Sequence, residues 1–405
     1  MSPEQQPPGK FVHMRILHAI QSADPVGGGP IEVILQLAAA TGGRLNHCVV
    51  SLDSPDAAFL RDFPLPVHAL GPAGMLGYSP RLLPWLRAHV NNYRAVVVHG
   101  LWRYISVGAW RALHDMDVPF FAFPHGMLDP WFKERYPVKH LKKSFFWPWT
   151  EYRLLRDARA VIFTCEEEQL RASRSFAPYR CNPEVAVLGI HRPPSDAERQ
   201  REVFYANFPE LRGKRLLLFL SRIHPKKGCD QLIQAFSRVA ARDPNIQLVI
   251  AGPDQTGWVA RLKDDATVGG ISDRITWTGM LTGEVKWGAY RAAEAFVLPT
   301  HHENFGIVVA EALACGLPVL ISDQVQIWRE IDASRAGYVE PDDMPGTQRL
   351  LERWLATPEG EWAEIGRRAR ECYEQKFEVG GYATRFMELV ETYSANAPRT
   401  CSKAA

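Results

Sequence analysis

The sequence predicts a two-part α/β protein, each part a parallel sheet covered by helices on both faces. Three observations carry this. Short, wholly apolar runs rich in β-branched residues recur between stretches of helical period, and strands buried on both faces read as such continuous runs rather than as alternating ones. The runs form two series, separated at 193–212 by a polar stretch that holds neither period. The chain, at 405 residues, is also too long for one ordinary core and comfortable for two domains of normal size.

The first series places strands at 14–20, 47–52, 95–99, 119–123 and 160–164, and the second at 215–221, 247–251, 274–278, 295–299 and 318–322. The expected domains are therefore 12–195 and 196–378. Residues 379–393 carry Tyr382, Phe386, Leu389, Val390 and Tyr393 at helical spacing, an apolar face that must dock on something. The Pro- and Gln-rich residues 1–11 and the tail 394–405 read as disordered ends.

Composition narrows the function. Hydrophobic residues at 46% and charged residues at 23% exclude a disordered or collagen-like chain. A net charge of +2 excludes the dense basic stripe of a dedicated nucleic-acid binder, so an anionic ligand must be met locally. The 7 cysteines are scattered and form no C-x-x-C pair, which argues against a disulfide framework and a structural zinc, and fits a reducing compartment. No run approaches the roughly eighteen apolar residues of a membrane span. A cytoplasmic protein is expected, with peripheral membrane contact open.

The most informative stretch, 300–322, reads THHENFGIVVAEALACGLPVLIS. A strand ends at Pro299, and 307–315 is a helix closed by Gly316 and Pro318. Asn304 is the expected N-cap, which leaves the N–H groups of Phe305, Gly306 and Ile307 facing outward as an anion site. Glu303 stands in the ligand-facing loop. Glu311 lies about one turn inside the helix, within reach of a hydroxyl pair such as a ribose; a solvated loop residue and a polar helix face would read the same way.

Upstream, Arg222 leaves a strand end and Lys227 follows five residues later, before Gly228, so the two can converge on one phosphate pair. Lys226 is the alternative lysine. Gly27, Gly28, Gly29 and Pro30 open the first helix, but the pattern is not G-x-G-x-x-G, and a nicotinamide-dependent oxidoreductase is disfavoured. His99, Trp102 and His125 sit just past strands, the ligand-facing edge of an open α/β sheet, where His99 and Trp102 could wall an acceptor. Asp115, Met116 and Asp117 spell D-x-D in a helix-to-strand connection, and His301, His302 and Glu303 are adjacent in a loop. Neither is expected to hold a metal.

The segment ENFGIVVAEALACGLPV, with Glu303 and Glu311 at its family spacing, resembles the signature of family 4 of the retaining glycosyltransferases. Residues 216–236 are similar to that family's strand, Arg, loop, Lys-Gly and helix unit. The resemblance implies the GT-B fold, two Rossmann-like domains facing each other across a cleft. The N-terminal domain would serve the acceptor and the C-terminal one the donor, with the helix at 379–393 crossing back. It implies that Arg222 and Lys227 clasp the donor diphosphate, that His125 contacts the donor sugar, and that Glu303 acts at the reacting centre. Gly28 and Gly29 would face the diphosphate, Gly252, Met280 and Leu281 would border the base, and Asn304, Phe305, Gly306, Ile307 and Glu311 would complete the nucleotide site. Glu167, in Thr164-Cys165-Glu166-Glu167-Glu168, matches a segment near the acceptor, and a solvated helix start is the competing expectation.

The implied reaction is retaining transfer of a hexose from a nucleoside-diphosphate sugar to a glycan or lipid-linked hydroxyl in surface polysaccharide synthesis, with no cofactor and no metal. A sugar-nucleotide epimerase on the same scaffold and a non-catalytic sugar-nucleotide binder are the rivals. Residues 139–156 add Lys139, Lys142, Lys143, Phe145, Phe146, Trp147, Trp149, Arg153 and Arg156, a basic and aromatic mixture suited to an anionic membrane surface. Core packing of the aromatics is the competing expectation.

Overall fold

A computed structural model describes residues 14–25 and 28–395. Gly27, residues 1–11 and the tail beyond 395 lie outside the described residues, while Ser394 and Ala395, expected in the tail, belong to the last helix, Val379–Ala395. The chain divides into two compact units, 1–189 with 379–405, and 190–378.

The first unit holds β1 (Met14–Ala19), β2 (Leu45–Ser51), β3 (Val67–Ala69), β4 (Ala95–His99), β5 (Phe120–Phe123), β6 (Ala160–Phe163) and β7 (Pro183–Val185). They form one parallel sheet in the order β3-β2-β1-β4-β5-β6-β7. Every residue of β4, β5 and β6 is buried, as the apolar runs require of a sheet covered on both faces. The last helix belongs to this unit. Tyr382, Phe386, Leu389 and Val390 are all within 2% exposure, and Tyr393 donates to Glu184 Oε1 at 2.6 Å beside β7.

The second unit holds β8 (Arg215–Leu220), β9 (Ile246–Ala251), β10 (Ile275–Gly279), β11 (Ala295–Leu298), β12 (Val319–Ser322) and β13 (Gly337–Glu340). Its parallel sheet runs β10-β9-β8-β11-β12-β13. In both sheets the strand order reverses once, between β1 and β4 and between β8 and β11. The loops that leave the carboxyl ends of those strands diverge to opposite faces and open a crevice, the place where doubly wound sheets bind ligands.

Three strands escaped the sequence reading: β3 (VHA), β7 (PEV) and β13 (GYVE), each three or four residues long at a sheet edge and partly exposed. An edge strand buries one face at most, so it has no apolar run to betray it.

Candidate functional site

In the second unit the loops at the β8/β11 reversal are locked together before any ligand is considered. Gly228 has φ +70, and a Cβ there would stand 1.9 Å from Pro299 O, so only glycine lets the loop after β8 lie against the end of β11. Gly252 does the same between the loops after β9 and β8, where a Cβ would meet Ser221 O at 1.8 Å. Its N–H donates to Gly279 O at 2.8 Å, so Gly252 serves as a spacer between loops rather than as an amide aimed outward. Lys226 contributes its carbonyl, which accepts from His301 N and from Thr300 Oγ1, both at 2.9 Å.

This packing brings Lys227 Nζ onto Glu303 Oε2 as an ion pair across the reversal. Of the two candidate lysines, Lys227 is the one paired with Glu303; its side chain is 8% exposed and that of Glu303 is 20% exposed. Burial acts to raise the Glu303 pKa, but the Lys227 ammonium, with Lys226 and His302 behind it, outweighs burial and holds the carboxyl below its ordinary value. The Glu303 backbone is fixed as well: its N–H donates to Gln324 O and its carbonyl accepts from Gln326 N, both at 3.0 Å. Arg222, exposed at the end of β8, donates to Gln255 Oε1 at 3.2 Å on the loop after β9.

The helix that follows is Ile307–Ala314, and its N-cap is Gly306 in the left-handed conformation, φ 79, with no side-chain cap. The expected cap, Asn304, is thus corrected. The turn reverses at the residue that tolerates positive φ, so the Gly306 carbonyl accepts from Val309 N and Ala310 N and takes over the capping place. The first amides of the helix, at Ile307 and Val308, have no intrahelical acceptor, and they follow Gly306, where a Cβ would stand 3.1 Å from Glu303 Cγ, so the helix starts beside the Lys227–Glu303 pair. Phe305 is buried, 3% exposed, with its ring edge-on to Phe377 at 5.6 Å, and anchors the loop.

Glu311, one turn in, accepts from Lys286 Nζ at 2.7 Å and from Tyr290 Oη at 2.9 Å. It is neither solvated nor idle. Lys286 and Tyr290, which no sequence motif singled out, orient it. Met280, 69% exposed, is no packing residue, and Leu281 beside it is partly exposed.

In the first unit the β1/β4 reversal encloses a cavity of about 180 Å³ whose lining includes Gly28, Pro30, His99, Gly100, Arg103 and Met127. Gly29 caps the first helix, Pro30–Thr41. His99 and Trp102, expected as one wall, part company here. His99 lines the cavity, whereas Trp102, at φ 67, turns away to pack on Phe176 at 5.0 Å under the Lys143 ammonium at 4.4 Å. Buried Glu151 accepts from Trp102 N at 2.9 Å and from Ser106 Oγ at 3.0 Å, which stabilises that turn. Burial pushes the Glu151 carboxyl up to about 7.

His125, φ 52, stacks on Phe123 at 4.2 Å. Its Nε2 lies 2.9 Å from His99 Nδ1, and behind His99 stand His18 and His47, two residues that the sequence reading passed over. The one signal available was a polar ring within the buried part of each strand. Glu167, the expected acceptor residue, pairs with Arg171 at 2.8 Å. The neighbouring Glu168, 3% exposed, reaches the site instead: it accepts from Gly126 N at 2.5 Å and from Thr164 N and Oγ1 at 2.7 Å.

Asp115 pairs with Arg87 at 3.3 Å, and His301 Nδ1 lies 2.8 Å from Asp342 Oδ1. Among the described residues no three His, Cys, Asp or Glu side chains group as a metal shell.

The basic and aromatic segment splits. Trp147 is fully buried and donates to Pro178 O at 2.7 Å. On the helix Pro137–Phe146 and just past it, Val138, Leu141, Phe145 and Trp149 are 69%, 72%, 73% and 64% exposed, alongside exposed Lys139 and Lys142. Lys143, expected among the surface cations, lies over Trp102 instead.

Two doubly wound units, each with its crevice at the strand-order reversal, define the GT-B fold, and a lysine, a carboxylate and a helix N-terminus gather at one of the crevices. The family comparisons agree: the glycosyl transferases group 1 model matches residues 201–371 and the glycosyl transferase 4-like domain model residues 28–187. The chain belongs to this glycosyltransferase family. It is 28% identical over 263 residues to a D-inositol 3-phosphate glycosyltransferase of Gordonia bronchialis, covering 61% of this chain and 56% of that protein. It is 33% identical over 160 residues to a mannosylfructose-phosphate synthase of Agrobacterium fabrum, 37% of this chain and 34% of that one. The aligned regions thus span about half and a third of these two relatives. Among solved structures, Anabaena HepE in complex with UDP and glucose has the same fold, with TM-score 0.73 and 19% identity over 94% of this chain and all of that one.

Proposed function

We propose that the chain transfers a hexose from a nucleoside-diphosphate sugar to a hydroxyl of a glycan or lipid-linked acceptor, with retention of configuration and without a metal. The observation that carries the reading is the β8/β11 crevice. There Lys227, Glu303 and the open amides of the helix Ile307–Ala314 meet, with Arg222 at the end of the same β8 strand. Positive groups and helix amides at one point suit a diphosphate and stabilise charge that builds on it as it leaves. The UDP and glucose of the HepE complex support the donor class, and the names of the sequence relatives support glycosyl transfer; retention and a place in polysaccharide assembly rest on family resemblance. Within this reading Glu311 holds the ribose and His125 the sugar.

The test is a panel of nucleotide sugars screened by thermal shift and then assayed with EDTA present. A bound donor raises the melting temperature by an amount that grows with the logarithm of its affinity, and turnover is expected to persist in EDTA. No shift with any nucleotide sugar would sink the reading, and activity that EDTA abolishes and Mg²⁺ restores would overturn its metal-free part.

The exposed face of Val138, Leu141, Phe145 and Trp149 beside Lys139 and Lys142 favours a lipid-linked acceptor met at the cytoplasmic face of an anionic membrane, since cations and aromatics together suit that interface. No helix among the described residues is long and apolar enough to cross a membrane. Co-sedimentation with phosphatidylglycerol-containing liposomes is expected to weaken with salt and with Lys139→Glu plus Lys142→Glu. Equal partitioning of wild type and variant would remove the membrane from the proposal.

A further inference from the structure

Behind His125 runs an unbroken file of imidazoles. His125 Nε2 lies 2.9 Å from His99 Nδ1, His99 Nε2 lies 2.9 Å from His18 Nδ1, and His18 Nε2 lies 2.8 Å from His47 Nδ1. His47 Nε2 ends 2.9 Å from the hydroxyl of Thr41, on the first helix. Thr41 and His18 are 0% exposed, His99 3% and His47 5%, so the file is sealed from water except near His125, which is partly exposed.

Burial keeps the rings neutral. His47 is lowered to about 4 and His125 to about 3 by desolvation. His18 and His99 lie well below the ordinary histidine value because burial is reinforced by the neighbouring rings. A neutral imidazole has one N–H and one bare nitrogen. In a file of four, every ring must therefore point the same way, and the choice is made at the inner end.

Thr41 makes that choice. Its hydroxyl has a single proton and donates to Ala38 O at 3.1 Å, which leaves the oxygen to accept from His47 Nε2. Each later ring then follows: His18 Nε2–H to His47, His99 Nε2–H to His18, and His125 Nε2–H to His99. His125 Nδ1 is left without a proton. Reversing the file forfeits the Thr41–Ala38 bond.

We infer that Thr41, His47, His18 and His99 are positioning residues that hold His125 in its Nε2–H tautomer, so that Nδ1 accepts hydrogen bonds only and favours a sugar hydroxyl over a sugar carboxylate. The selectivity rests on the proposed contact between His125 and the donor sugar; the tautomer does not. A hydroxyl can turn its proton toward Nδ1, whereas an ionised carboxylate has none to give and brings lone pairs against a lone pair.

The decisive measurement is long-range proton–nitrogen correlation NMR on the full chain labelled with ¹⁵N-histidine. All four rings are expected to show pyrrole-type Nε2 and pyridine-type Nδ1. Thr41→Val, which keeps the shape and removes the terminal acceptor, is expected to mix the tautomers along the file, and Thr41→Ser to restore them. In calorimetry, wild type is expected to bind UDP-glucose more tightly than UDP-glucuronate, and Thr41→Val to narrow the gap about fivefold, the worth of one ordinary hydrogen bond. A proton on Nδ1 of His125 in the wild type, or four unchanged rings in Thr41→Val, would overturn the inference. If the tautomers are as expected but His125→Ala leaves UDP-glucose affinity and turnover unchanged, the file stands, while the sugar contact and the selectivity built on it fall.

Discussion

The two crevices are the same place in two copies of one topology, yet they are furnished with opposite chemistry. At β8/β11 the contacts are ionic: Lys227 with Glu303, Lys286 with Glu311, and the amides of a helix N-terminus. At β1/β4 and the neighbouring end of β5 they are mostly uncharged: a largely apolar cavity with Asp24 and Arg103 on its wall, a file of neutral imidazoles and a loop tied by the buried Glu168 carboxylate. The comparison teaches that topology supplies a crevice and the side chains decide what it can read. A charged crevice grips an anion wherever it presents oxygen, whereas a neutral one with fixed donors and acceptors discriminates among hydroxyls.

The largest expected effect is on acid stability. Four imidazoles buried neutral have native pKa values below the ordinary 6.5, so the unfolded chain binds more protons as pH falls. Their stabilisation is complete above pH 6.5 and declines below it, at about 1.4 kcal/mol per pH unit for each ring. Glu151, raised to about 7, works the other way and loses its stabilisation as pH rises from the ordinary carboxylate range through 7. One acid against four imidazoles cannot reverse the trend. In the second unit Glu303, with a lowered pKa, loses its stabilisation only as pH falls below the carboxylate range. Limited proteolysis from pH 7.5 to 5, with fragments assigned by mass, should therefore open the first unit first; simultaneous opening would erase the contrast.

Next in size is Lys227→Met, which leaves Glu303 partly buried and unpaired. A loss of about 3–5 kcal/mol in chemical denaturation is expected. Adding Glu303→Leu should recover much of that stability without recovering UDP affinity. If affinity returns with stability, the pair is scaffolding rather than an anion site.

Glu311→Ala removes the acceptor of both Lys286 and Tyr290 and should weaken UDP binding by about 1.5–3 kcal/mol. It should also lower stability by about 1–3 kcal/mol for the groups left unpaired. Arg222→Ala, on the surface, should weaken UDP similarly while changing stability by less than about 0.5 kcal/mol. Calorimetry paired with denaturation separates the two, and a stability loss in Arg222→Ala would mean that its bond to Gln255 holds the loop.

Much of this was legible in the sequence because central parallel strands are apolar throughout and because Glu303, Glu311, Arg222 and Lys227 sit within short segments whose order fixes their place. What was not legible depends on packing between distant segments. His18 and His47 look like isolated polar residues until β1, β2 and β4 align in register. Glu168 rather than Glu167 reaches Gly126 because the helix Glu166–Ala172 turns that residue inward. Asn304 has the chemistry of a cap, but the positive φ that the turn needs falls on Gly306.

Glu168 also bears on motion. One carboxylate accepts from the amides of Gly126 and Thr164, which follow β5 and β6, so the β5 loop cannot open without leaving one oxygen of the buried carboxylate that holds the β6 loop without its donor. The two amides should exchange with deuterium as one cooperative unit, at one common rate, and the backbone that carries His125 should be released only when that unit opens.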